Sequence, residues 1–136
     1  MEDPRQHLYW YRARCPDDDS RYPRRVRVHD GDTCRLDIDA GFGLVLERRE
    51  CRLWGINAPE LNDPATKAAG LKVRDYLRHL ILGRGDLMLA TIKDATDSLG
   101  SRYLARIYVP RDDGSWLHVN DHLVTTFPGQ VVEFMR

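Results

Sequence analysis

Two alternating runs, Cys34–Asp39 and the less regular Val45–Leu53, flank the glycine-bearing stretch Asp39-Ala-Gly-Phe-Gly-Leu44, and this pattern most limits how the chain can fold. Alternation of apolar and polar residues marks a half-buried strand, and a short glycine-rich link between two such runs reads as a hairpin. An antiparallel hairpin returns the chain toward its start. It therefore brings Asp30-Gly31-Asp32-Thr33, just ahead of the pair, close to Arg52-Leu53-Trp54-Gly55-Ile56-Asn57-Ala58-Pro59-Glu60 at its far end. Converging oxygen ligands of this kind suit a hard cation.

The rest of the chain supplies more short strands and two helices. Leu8–Arg14 is rich in aromatic residues and reads as an opening strand, which either pairs with Arg24–His29 or extends the first barrel strand. Between them, Asp17 to Asp19 lie in a loop flanked by Pro16 and Pro23, where a charge run is ordinarily solvated. Arg24–His29 alternates, with Val26 and Val28 on one face, and Gly31 offers the backbone freedom that a tight reversal needs. Asp63 and Pro64 signal a helix start, and Val73, Tyr76, Leu77, Leu80 and Ile81 form one apolar stripe ending before Gly83. Lys72, Arg74, Asp75 and Arg78 fall off that stripe and read as a solvated face. Asp86–Ile92 and Arg102–Val109 are further strands, a short helix begins near Val119 or Asn120, and Gln130–Arg136 is a tail of unassigned order. The pattern predicts an α+β, mainly β domain spanning 1–136, with 1–23 as an N-terminal strand and loop extension and 127–136 as a tail. Its expected architecture is a five-stranded OB-fold-like barrel with one long helix after the third main strand and a short helix near the C-terminus.

Composition excludes several classes. A chain of 136 residues with 42% apolar and 31% charged residues has the material for one folded core and is neither disordered nor membranous. Met1–His7 lacks the basic-then-apolar layout of a signal peptide, so a cytoplasmic protein is the expectation, with a processed secreted chain as the other possibility. Cys15, Cys34 and Cys51 are odd in number and lack metal-ligand spacing, which reads as buried thiols. With 21 basic and 21 acidic residues the net charge is zero, which argues against a polyanion-coating protein but not against a local arginine cluster.

Val-His-Asp-Gly-Asp-Thr33, then Arg52-Leu-Trp-Gly-Ile-Asn-Ala-Pro-Glu60, and finally Thr96-Asp-Ser-Leu-Gly-Ser-Arg102-Tyr-Leu-Ala-Arg-Ile-Tyr108 occur in that order. Together they resemble the staphylococcal nuclease (thermonuclease-like) family, whose members carry a DGDT turn, an R-L-x-x-[IV]-D-x-P-E segment and a D-K-Y-G-R stretch leading into a strand. The resemblance covers residues 24 to 126. It implies an OB-type barrel and a Ca²⁺-dependent endonuclease, with another divalent metal as an alternative, acting on DNA and as a second candidate RNA, with single strands preferred. By the same resemblance, Asp32, Asn57 and the Ala58 backbone carbonyl are the metal ligands, Glu60 activates the attacking water, and Arg52 and Arg102 hold the phosphate.

Phosphodiester hydrolysis asks for these types of group: a cation and rigid donors for the charge that builds on the non-bridging oxygens, and a base for water. Each residue also has a plainer reading. Asp32 could cap its own turn, Arg52 could pair with Glu47 or Glu50, Glu60 could simply precede a helix, and Arg102 could be a strand-edge cation. Asp37, Asp39, Glu47, Glu50 and Arg106 read as outward or barrel-end charges, and the histidines show no ligand spacing. Two departures from the family pattern matter. Asn57 stands where an aspartate is usual, which keeps an oxygen but removes a charge, and Ser101 separates Gly100 from Arg102. They motivate the competing expectation of a catalytically weakened OB-fold module that binds nucleic acid or a protein.

Overall fold

The central hairpin consists of β3 (Thr33–Gly41) and β4 (Leu44–Leu53), paired antiparallel with Cys34 opposite Cys51 and Thr33 opposite Arg52. The structure, a computed structural model, describes residues 9–17, 26–93 and 102–134, with backbone only at 92, 93 and 102. At the hairpin tip Gly41, Phe42 and Gly43 all take positive φ (79°, 56° and 75°), so the glycines there are required by backbone conformation. Cys34, Leu36 and Ile38 point inward from β3, as do Cys51 and Leu53 from β4, which leaves Arg52 on the outer face.

Closure comes from β1 (Tyr9–Cys15), which pairs antiparallel with β3 along one edge and with β6 (Arg84–Lys93) along the other. β6 pairs antiparallel with β7 (Arg102–Pro110), and β7 pairs in parallel with β4. The circuit β1-β3-β4-β7-β6-β1 is a closed five-stranded barrel of the OB type. Among the described residues the first strand neither pairs with β2 nor extends another strand; it lies between β3 and β6 and pairs with both. The expected Arg24–His29 strand is represented by the shorter β2 (Val28–Asp30), which adds to β3, and residues 24 and 25 lie outside the described residues. Leu36, Leu53, Leu87, Leu89 and Ile107 are fully buried in the interior, each worth about 1.5–3 kcal/mol of burial.

Helix α1 (Lys67–Ile81) follows β4 and the two-residue β5 (Ile56–Asn57). Of the stripe read from the sequence Val73, Leu77 and Ile81 are buried and Tyr76 and Leu80 partly so, and Gly70 is buried as well. Its start differs: Thr66 is the N-cap, while Asp63 organises the turn ahead, accepting from the Ala65 amide at 2.9 Å and, through its carbonyl, from the Thr66 amide at 3.1 Å. Arg78 is not a solvated charge, since its Nε and Nη2 donate to the Val28 carbonyl at 3.2 and 3.0 Å and tie α1 to β2. Asp37 is likewise not an outward charge. It is 3% exposed and accepts from Arg27 Nη1 at 2.7 Å, Arg14 Nε at 3.2 Å and the Arg48 amide at 3.0 Å.

The remaining elements are β8 (Trp116–His118), which pairs with β7, α2 (Val119–Thr126), and β9 (Val132–Glu133), which pairs antiparallel with β5. Part of the tail is therefore a strand laid against the Arg52–Glu60 segment. The Tyr76 hydroxyl and His122 Nε2, 2.8 Å apart, link α1 to α2. Cys15, Cys34 and Cys51 are free and buried, and burial pushes the Cys51 thiol up to about 12. Among the described residues no helix is long and apolar enough to cross a membrane.

Candidate active site

The hairpin and the turns at its two ends bring four of the six sequence-predicted residues together. Asp32 sits between β2 and β3, and its Oδ2 accepts a 2.9 Å hydrogen bond from the Ala58 amide, 26 residues on. The Asp32 carbonyl also accepts from the Leu53 amide at 2.8 Å, which locks the DGDT turn onto the end of β4. Gly31 is required there for a different reason from the one its turn suggested. Its φ is not positive; a Cβ at Gly31 would lie 2.5 Å from Val73 Cγ1 and 2.8 Å from Ala58 Cβ. Close packing of α1 against the turn thus demands glycine.

Past Leu53 the chain turns at Gly55, with φ of 81°, into β5. This turn is held from α2 by the buried Asn120, whose Nδ2 donates to the Trp54 carbonyl at 3.1 Å and the Ala105 carbonyl at 3.0 Å while its Oδ1 accepts from the Ile107 amide at 3.1 Å. Arg52 Nη2 donates to Asn57 Oδ1, and the guanidinium lies over the Phe134 ring at 5.9 Å. Arg52 is therefore not paired with Glu50, which bonds Arg35 at 3.6 Å. An arginine braced on one edge and one face presents its remaining N–H donors in a fixed direction, as an anion site requires.

Burial is the main reason that the Asp32 carboxyl is pushed up to about 6. The neighbouring Asp30 carboxyl adds to this by hydrogen bonding and like charge, while the Ala58 amide and Arg52 offset part of it. Two carboxylates crowded in one turn are short of positive charge, and a hard divalent cation would supply it. The donors present fit such an ion in kind: carboxylates at Asp30 and Asp32 and an amide oxygen at Asn57. Among the described residues no three His, Cys, Asp or Glu groups cluster closely enough to enclose a metal by themselves, so water or phosphate oxygens would have to complete the shell. Ala58 presents its amide N–H, not its carbonyl, to Asp32.

The other two residues make no contact with this group among the described residues. Glu60 is exposed, with no side-chain partner among the described residues; its carbonyl accepts from Thr66 Oγ1 at 2.8 Å. Arg102 begins β7 opposite Glu50, two pairs along the seam from the Arg52–Leu104 pair, but its side chain and the Ser101 insertion lie outside the described residues. Sequence reasoning missed Asp30, Asn120 and Phe134. Asp30 was findable as the second acid of a D-x-D turn, whereas nothing local marks a helix-start asparagine or a tail phenylalanine as part of a site. Compared with known proteins, the chain matches no family model and no curated protein.

Proposed function

We propose that this protein is a divalent-cation-dependent phosphodiesterase of the staphylococcal nuclease type, cleaving DNA, with RNA as a second substrate and unpaired strands preferred. The observation that carries this reading is the junction of the DGDT turn with the Arg52–Ala58 segment, where the Asp32 carboxylate, a braced arginine and an amide oxygen meet. Ca²⁺, held by Asp30 and Asp32 with Asn57 in reach, would neutralise phosphate charge there. Arg52 orients the phosphate and stabilises the charge that builds on its non-bridging oxygens. Glu60, exposed and unspent, takes the proton from a water whose oxygen bonds to phosphorus, and the P–O bond to the leaving sugar oxygen breaks, that oxygen taking its proton from solvent. Arg102 is the second candidate for the phosphate.

The alternative is a weakened OB-type binding module, favoured by the commitment of Asn57 Oδ1 to Arg52. A nicking assay on plasmid and single-stranded DNA, with Ca²⁺ and with chelator, separates the two. Cation-dependent cleavage supports the hydrolase, whereas chelator-insensitive binding without cleavage supports the module.

A further inference from the structure

A cavity of about 350 Å³ beside the β4–β5 turn is lined by Trp54, Arg106, Tyr108, His118, Asp121 and Glu133. That volume is at the small end of ligand sites, about 300–1,000 Å³. Glu133 pairs with Ile56 in the β5–β9 ribbon, and the next residue, Phe134, covers Arg52. Its walls are aromatic and held in place. The Arg106 guanidinium lies over the Trp54 ring, 4.5 Å from its centroid, and the Tyr108 and His118 rings stack at 4.8 Å with a 14° interplanar angle.

Its polar groups have unused bonding capacity. Among the described residues the Arg106 guanidinium donates no hydrogen bond and the Glu133 carboxylate accepts none. His118 Nδ1 is engaged by Asp121 at 2.9 Å, but His118 Nε2 is buried without a partner. A ligand here must offer acceptors to a guanidinium, donors to a carboxylate, and a flat face to aromatic walls. Carboxylates at Asp121 and Glu133 oppose a phosphate in this cavity. Among nucleobases, guanine alone has both an edge of paired donors (N1–H and the 2-amino group), matching a carboxylate, and an edge of paired acceptors (O6 and N7), matching an arginine. Adenine and cytosine lack the paired donor edge, and thymine has a single N–H between two carbonyls.

We propose that this cavity receives a guanine base, with Arg106 and Glu133 as its specificity-determining residues. The proposal rests on the nucleic-acid reading above but has its own test. Deoxyguanosine, deoxyadenosine, deoxycytidine and thymidine carry no phosphate; each is titrated into the full chain without divalent cation, and the indole N–H and backbone amide shifts of the cavity residues are followed by NMR.

Deoxyguanosine is expected to bind about tenfold more tightly than the other nucleosides, and Glu133→Gln and Arg106→Ala to bring it to their level. Thermal unfolding checks that both variants fold; Glu133 is exposed, so Glu133→Gln alone decides if Arg106→Ala does not. Equal affinities for all the nucleosides, or guanine preference unchanged by Glu133→Gln, overturns the proposal. Cleavage is scored separately on a single strand containing one guanine. Nucleoside selectivity without cleavage leaves the guanine site standing and removes the hydrolase reading. Cleavage without nucleoside selectivity does the reverse.

Discussion

Arg52 Nη2 donates a hydrogen bond to Asn57 Oδ1, so the amide spends its oxygen on the arginine proposed to hold phosphate. A carboxylate at this position would add the negative charge that raises affinity for a hard cation. Asn57→Asp is expected to tighten Ca²⁺ binding on the order of tenfold, about 1.4 kcal/mol, and to raise cleavage at low Ca²⁺. Calorimetric titration and a Ca²⁺-dependent rate curve check this; unchanged affinity would exclude Asn57 from the cation's surroundings.

Loss of the two principal chemical groups has separable effects. Glu60→Ala is expected to lower the cleavage rate by about 10²–10⁴-fold and to leave thermal stability nearly unchanged, because the side chain is exposed and bonds to no described residue. Arg52→Ala is expected to cost about 10²–10³-fold. Retention of full activity by both variants would remove the site assignment.

Asn120 connects α2 to the site through its bonds to the Trp54 and Ala105 carbonyls and the Ile107 amide. Its loss strands buried backbone groups at about 1–3 kcal/mol apiece. Asn120→Ala should therefore lower stability by about 2–4 kcal/mol and, where the chain still folds, weaken substrate binding through the loosened Trp54 turn. Chemical denaturation and KM measurements report the two effects.

Gly31→Ala is a test of packing. With Val73 Cγ1 2.5 Å and Ala58 Cβ 2.8 Å from the added methyl, overpacking of about 1–3 kcal/mol is expected. Val73→Ala should relieve part of it in the double variant, which a double-mutant cycle by chemical denaturation measures. A purely additive result would place the cause in the backbone.

Burial alone would raise the Asp37 pKa, but the Arg27, Arg48 and Arg14 donors outweigh it and hold the carboxyl below its usual value. The folded state therefore binds the proton less well than the unfolded chain does. The stability from Asp37 is present above the unfolded pKa near 3.8 and is lost as pH falls toward the depressed folded value. Asp37→Asn should cost about 3–5 kcal/mol at neutral pH, since it breaks a buried ion pair, and flatten the acid limb of a plot of Tm against pH.

Periodicity made the hairpin and the α1 stripe legible, because a half-buried strand and a packed helix each imprint their own repeat on the chain. The dual pairing of β1 was not legible, since a strand bonded on one edge alternates no differently from one bonded on both. Asp37 and Arg78 were misread because a charge is called exposed unless its partners are known, and those partners lie on other strands or the backbone. The approach of Asp32 to Ala58 was predictable because a hairpin fixes it. The brace of Phe134 on Arg52 was not, because it depends on a tail strand with no pattern of its own.

The parallel seam between β4 and β7 also orders events in time. All of α1 and β6 lie between those strands in the chain, so the seam is a long-range closure and forms slowly. Since Arg52 and position 102 lie along it, a nascent or half-folded chain has not yet joined β4 to β7, and the site proposed at Arg52 is assembled only once the barrel has shut.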